Sequence, residues 1–304
     1  MIICRLLTIN PIDATLWTLR RNEMDVIKLY DSLSPIMQVA TGATMLNFGY
    51  WQGDVNSPVK AQSNLCALVG NLADLRSSRT LIDVGSGYGA PALKWSREYR
   101  LGNIVCVNIN SHQLANEFKV ALNKIENAQA FHTRCLRAGI TYINSTSLCL
   151  PFATGTVDRI IALESAQHFK PFDSFIAESY RILKSQGILV VAMPVTVSLD
   201  NVLKKLFKLG ILNLTWSSEH YELEYVKSAI RRFRFKITNE TMIGTQVYEP
   251  LALYYIQNRK DLRQKITTHY PSYIEKILCK SLVKMMTVSK KGLIDYIVLK
   301  AEKL

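Results

Sequence analysis

The 304-residue chain is 48% hydrophobic, ample for a large core, and its length suits one doubly wound domain with insertions as well as two smaller domains. Its net charge of +13 is uneven: residues 151–304 hold 23 Lys and Arg against 14 Asp and Glu, and residues 1–150 hold 14 against 10, a field able to attract nucleic acid, an anionic membrane or an acidic substrate. No apolar run reaches the roughly 18 residues of a spanning helix, the opening stretch is too short for a signal-peptide core, and the six cysteines and five histidines lack disulfide or zinc spacing, so a cytoplasmic protein without a structural metal is expected.

Along the chain, a helical pattern over about Glu23–Val39 precedes the short segment Thr44–Trp51, and residues 1–60 are read as a cap outside the sheet. A helix near Val59–Leu72 leads into the apolar strand Thr80–Val84. Three glycines follow at alternate positions, Gly85, Gly87 and Gly89, and Pro91 suits the first residue of the next helix. Strands at Asn103–Asn108, Thr141–Ile143, Val157–Leu163 and Ile188–Met193 then alternate with helices at about His112–Asn127 and Phe172–Leu183. Such alternation predicts a parallel sheet covered on both faces.

Beyond Pro194 the rhythm breaks. Val202, Leu203, Leu206 and Phe207 share one helical face and Lys204, Lys205 and Lys208 the other, the pattern of a lid helix or of an interfacial helix on an anionic membrane. A helix near Glu222–Arg232, a strand at Phe235–Ile243, a mostly helical Leu251–Met286 and a last strand at Leu293–Leu299 complete the chain. The segments divide as cap 1–60, core 61–194, lid with a late strand 195–290, and final core strand 291–304.

Two cofactors compete for the glycine loop. Gly85, Gly87 and Ala90 satisfy the dinucleotide pattern G-x-G-x-x-G/A, in which a pyrophosphate sits on the helix N-terminus. Asp83, two residues before the first glycine, repels a pyrophosphate. It suits S-adenosylmethionine, which carries a sulfonium and an ammonium and no phosphate. The second strand ends in Asn108 and Asn110 in place of the acid that grips a ribose in dinucleotide sites.

Five motifs in order sharpen that choice: Asn47–Trp51, Leu81–Ala90, Val107–Leu114, the group Leu150–Phe152 with Val157, Asp158 and Leu163–His168, and Glu178–Gly187. Over about residues 44–194 the chain resembles the class I S-adenosylmethionine-dependent methyltransferases, particularly those acting on quinones, sterols, tocopherols and sugar hydroxyls. The resemblance implies a Rossmann-like, doubly wound, mostly parallel seven-stranded sheet with an antiparallel last strand, helices on both faces, and a helical cap and lid. It implies S-adenosylmethionine as cofactor and S-adenosylhomocysteine as product. Gly85, Ser86, Gly87 and Gly89 would pass beneath the methionine moiety, with Asp83 and Glu164 near its charged end. Asn108 and Ile109 would face the ribose, Thr146, Ser147 and Leu148 the adenine, and Tyr50 and Trp51 would close over the cofactor. Asn108 and Thr146 stand where the family usually has acids, and an amide or hydroxyl is a weaker acceptor there. Gly187 is expected to supply the positive φ of the turn after Lys184.

Methyl transfer needs chiefly a nucleophile aligned with the sulfonium methyl. Where a proton must leave, His168 is the candidate base, as histidines at this motif position are in similar sugar O-methyltransferases, although Met193–Val195 brings it no acid partner. The reading is methylation at O, N or C of a small, lipophilic molecule by a monomer or homodimer that associates peripherally with anionic membrane. The alternatives are an RNA methyltransferase, disfavoured because no nucleic-acid motif accompanies the core, and a non-catalytic cofactor-binding protein, motivated by Asn108 and Thr146.

Overall fold

A computed structural model describes residues 20, 22–99, 101–115, 139–197, 209–210, 212 and 219–304. The amphipathic segment at 202–208 and most of the helix expected after His112 lie outside the described residues. Helix α1, Glu23–Thr41, opens with the Asn22 side chain accepting the Asp25 N–H at 2.9 Å and stops at Gly42, whose φ of 69° a β-carbon would resist. Helix α2, Pro58–Leu72, carries Pro58 at its first position, where the missing N–H costs nothing.

The sheet comprises β1 Thr80–Val84, β2 Asn103–Asn108, β3 Ile140–Asn144, β4 Val157–Leu163, β5 Leu183–Thr196, β6 Phe235–Met242 and β7 Ile294–Lys303. Its order is β3-β2-β1-β4-β5-β7-β6. The first five strands are parallel, and β7 lies between β5 and β6, antiparallel to both. This is the doubly wound, mostly parallel seven-stranded sheet that the motifs imply. The remaining helices are α3 Ala90–Tyr99, α4 Phe172–Ile182, α5 Leu223–Arg232, α6 Gly244–Gln257, α7 Arg259–His269 and α8 Ser272–Lys290.

Successive strand side chains face opposite sides, so β1 feeds two cores. Leu81 joins Leu65 and Val69 of α2, Trp95 of α3, Tyr248 of α6 and Leu282 of α8 on one face. Ile82 joins Phe172 and Phe175 of α4 and Val226 and Ile230 of α5 on the other. Trp95 is fully buried and its indole N–H donates to the Cys66 carbonyl at 2.9 Å. Truncating such a residue to alanine costs about 3–5 kcal/mol. The stretch read as a lid thus also builds core, because α6 and α8 bury Val247, Tyr248, Tyr255 and Leu282 against the sheet.

Two local expectations shift. Pro91 is the second residue of α3, which starts at Ala90. In the Lys184–Gly187 turn the positive φ, 60°, falls on Gln186 and not on Gly187. Gly187 is instead held by space: a β-carbon there would meet the Lys184 carbonyl oxygen at 2.8 Å. The turn is a bulge inside β5, whose pairing with β4 jumps from Val157 opposite Leu183 to Arg159 opposite Ile188. Asp158 ties it down, accepting from Lys184 Nζ at 2.7 Å and from the Arg79 and Thr80 N–H groups at 3.0 and 2.9 Å. Despite partial burial, these donors hold its carboxyl down at about 2. Among the described residues no helix is long and apolar enough to cross a membrane.

Candidate active site

The carboxyl ends of β4, β1, β2 and β3 open into one cavity, and α1 lies across it. Gly85, Ser86, Gly87, Asn108, Ile109, Ser147, Glu164 and His168 line it, while Tyr50, Trp51, Asp83, Gly89, Thr146 and Leu148 do not. The three loop glycines serve different ends. A β-carbon on Gly85 would sit 2.3 Å from Ser165 Cβ, and one on Gly89 would strike the Tyr142 ring at 2.7 Å. At Gly87 only Leu46 Cδ1 comes near, at 3.9 Å, so this glycine leaves open space on the cavity side. All three have positive φ.

Glu164 ends β4 with φ 51°, a left-handed conformation that is strained for a residue with a side chain. The bend puts its carboxylate in the cavity, where Oε1 accepts the Phe48 N–H at 2.8 Å. Burial, only partly offset by that bond, pushes its carboxyl up to about 8. Burial first and the Glu164 charge second hold the hydroxyls of Tyr30, Tyr248 and Tyr296 above the usual tyrosine range. Asp83 sits just below the glycine loop, 2% exposed, and burial raises it to about 7.

At the end of β2, Asn108 donates its amide hydrogens to the Gly87 carbonyl at 3.2 Å and to Gln113 Oε1 at 2.8 Å. What it can offer a ligand is therefore the Oδ1 acceptor. Thr146 Oγ1 accepts the Leu148 N–H at 3.3 Å and hydrogen-bonds Glu23 Oε1, so it turns to the cap helix. Tyr50 donates its backbone N–H to Ala61 at 2.8 Å. Trp51 points away from the cavity, with its ring 5.5 Å from that of Tyr254 and its indole N–H on the Phe48 carbonyl at 3.2 Å. The Asn47–Trp51 motif thus packs the cap onto α6, and its cavity contribution is Asn47.

His168 closes the turn after β4. Its Nε2 lies 2.9 Å from the Tyr30 hydroxyl, and the two rings meet edge to face at 5.3 Å. Tyrosine supplies the partner that β5 lacks. The sequence reading missed this face of α1: Glu23, Ile27, Tyr30, Asp31 and Ser34 recur at helical spacing and all turn toward the strand ends. Asn110 donates to Asp31 at 2.8 Å, His112 Nδ1 lies 2.9 Å from Asp31, and Gln113 donates to Ser34 at 3.1 Å. Ile27 and Tyr30 belong to the apolar periodicity of the helix, whereas the polar Glu23, Asp31 and Ser34 share their face without an apolar signal to mark it.

The residues fit S-adenosylmethionine. Ser86 Oγ and Asn47 Oδ1, both on residues lining the cavity, are buried polar atoms without a hydrogen-bond partner among the described residues, a costly state that a polar ligand would relieve. Glu164 would hold the cationic end, Gly87 would admit the chain of the ligand close to the backbone, and Asn108 would accept from a ribose hydroxyl. Together the fold and the cavity define a nucleoside-cofactor domain of methyltransferase architecture.

A family profile described as a methyltransferase domain matches residues 82–191. The erythromycin 3''-O-methyltransferase of Saccharopolyspora erythraea is 23% identical over 58% of this chain and 54% of its own length. The cyclopropane synthase MmaA2 from Mycobacterium tuberculosis superimposes with a TM-score of 0.75 over 93% of this chain and 99% of that one, at 15% identity. Mycolic acid cyclopropane synthase CmaA1, solved with SAH and CTAB, gives 0.73 over 91% and 95%, at 17% identity. Residues 82–191 thus match a methyltransferase domain, and the chain has the fold of the class I S-adenosylmethionine-dependent methyltransferases. Its matches span little more than half the length of the first curated relatives, 54% and 59%.

Proposed function

We propose that this protein transfers the methyl group of S-adenosylmethionine to an O, N or C atom of a small lipophilic molecule. The observation that carries the reading is one cavity holding both a cation-binding end, at Glu164, and a hydrogen-bonded Tyr30–His168 pair at its wall. When bound, the cofactor supplies an electrophilic methyl group on a good leaving group. The chain's own work is then to bind, align and dry the reactants. Val26, Ile27, Met45, Leu46 and Phe169 give the cavity an apolar wall suited to a lipophilic acceptor. The raised Tyr30 hydroxyl stays protonated and donates to His168 Nε2, which places the proton of the neutral imidazole on Nδ1. For a hydroxyl acceptor, its proton passes to the Tyr30 oxygen as the Tyr30 proton moves to Nε2.

Calorimetric titration with S-adenosylmethionine and S-adenosylhomocysteine tests the cofactor, and no heat at millimolar ligand sinks the proposal. Mass spectrometry of extracts incubated with wild type or Gly87→Asp protein tests the acceptor: a methylated product is expected with the first only. The outer face of α8, with Tyr273 and Ile277 exposed alongside Lys276 and Lys280, and the exposed apolar Leu253 and Ile256 of α6 support weak association with anionic bilayers. Sedimentation with anionic but not neutral vesicles is the expected outcome.

A further inference from the structure

We infer that Glu23, on the first turn of the cap helix, recognises the nucleobase of the cofactor in place of the acid that the β3 loop lacks. This rests on the methyltransferase reading. The cavity runs along four neighbouring strand ends, β4, β1, β2 and β3, which at about 4.8 Å per strand span about 14 Å. Charge sets the direction in which the cofactor lies. Glu164, the buried carboxylate at β4, takes the cationic amino-acid end, so the nucleoside end falls at β3, beside Ile109 and Ser147.

At that end the described residues of the core offer no acid of their own. Thr146 has one hydroxyl hydrogen, which its bond to Glu23 Oε1 uses, and the same oxygen already accepts the Leu148 N–H at 3.3 Å. The hydroxyl is therefore committed on both counts and turned toward α1. Glu23, in contrast, lines the cavity, and a carboxylate offers about four acceptor sites, of which Thr146 uses one. Such a group accepts from an exocyclic amine and repels a carbonyl oxygen. It would therefore tell adenine from hypoxanthine. Separate bonds at Tyr30, Asp31 and Ser34 hold α1 over the site, so removing the Glu23 charge leaves the helix anchored.

The test is calorimetric titration of wild-type and Glu23→Gln protein with S-adenosylhomocysteine and with S-inosylhomocysteine, which differ in the group at position 6 of the base. Wild type should prefer the adenosyl ligand. Glu23→Gln should bind that ligand about tenfold more weakly, as expected for losing one hydrogen bond to a charged acceptor, and bind the inosyl ligand as well as before or better. Thr146→Val, which removes the hydroxyl that orients Glu23, should shift the preference the same way by a smaller factor. Equal losses for both ligands, or none for either, overturn the assignment and leave Glu23 a helix anchor. Failure of wild type to bind either ligand overturns the methyltransferase reading itself.

Discussion

Cofactor affinity should climb steeply between about pH 6 and pH 7.5, because Glu164, the acid that lines the cavity at its cationic end, is held protonated by burial. Glu164 is raised to about 8 and Asp83 to about 7. The folded, ligand-free chain therefore holds more protons than the unfolded chain between about pH 4 and pH 8. Its stability falls as pH climbs through that window and levels off above it, a loss on the order of 4 kcal/mol for each fully buried acid. A cation favours the ionised carboxylate, so binding expels the proton and the affinity follows the ionised fraction. For Glu164 that fraction grows about twentyfold over the stated range. The range lies below that in which an α-amino group loses its own charge. Calorimetry of S-adenosylmethionine binding in two buffers of different ionisation enthalpy reads both the affinity and the protons released, about one or more per ligand at pH 6. Glu164→Gln should flatten the profile and weaken binding at pH 7.5. An affinity constant within about twofold from pH 6 to pH 7.5, with no proton exchanged, would refute the placement of the cation on Glu164.

The loop glycines should separate by role. Gly85→Ala, whose β-carbon would overlap Ser165 at 2.3 Å, should lower the melting temperature far more than Gly87→Ala, which faces open space. Gly87→Ala should instead keep most of its stability, losing about 1–2 kcal/mol to backbone strain, and weaken cofactor binding at least as much as its fold. Tyr30→Phe should leave cofactor affinity within about threefold while lowering kcat by about 10²-fold or more for a hydroxyl acceptor and shifting the pH profile of kcat; unchanged turnover and profile would remove Tyr30 from the proton path. Trp51→Ala should cost about 3 kcal/mol in chemical denaturation through its lost packing on Tyr254, with cofactor affinity unchanged; a selective loss of affinity would show that the ring reaches the cofactor.

Much of the architecture was legible where apolar runs are bounded by glycine. Thr80–Val84 and Val157–Leu163 form strands with the expected limits, since a run of that length ending at a positive-φ residue leaves few alternatives. Gly87 and Asn108 were legible because in a doubly wound sheet the carboxyl ends converge, so locating the strands locates the cavity, whereas Ser147 and Glu164 were expected only from the methyltransferase resemblance. What depended on long-range orientation was not legible. Trp51 follows Tyr50 in a motif, but its direction is set by Tyr254, some two hundred positions later. Glu23 and Tyr30 lie in a helix that periodicity detects, yet periodicity does not say which strand ends that helix crosses. The Lys184–Gly187 turn was placed correctly while its positive φ moved by one residue, because the glycine answers to crowding from Lys184 and Leu183 and not to backbone torsion.

The position of β7 carries a consequence for how the molecule is made. Every other strand of the sheet is synthesised before it, yet it lies inside the sheet, and β6 has no other strand partner. While the ribosome still holds residues 294–303, β5 and β6 present bare edges, and β5 contains ten consecutive residues that are buried in the finished fold. The ten residues of β7 take about a second to synthesise, at about 5–20 residues per second, and for that time these edges stay uncovered. Clipping or stalling within that short segment would leave an aggregation-prone intermediate, whereas a nick in the exposed turn at Gly53 would leave the sheet complete.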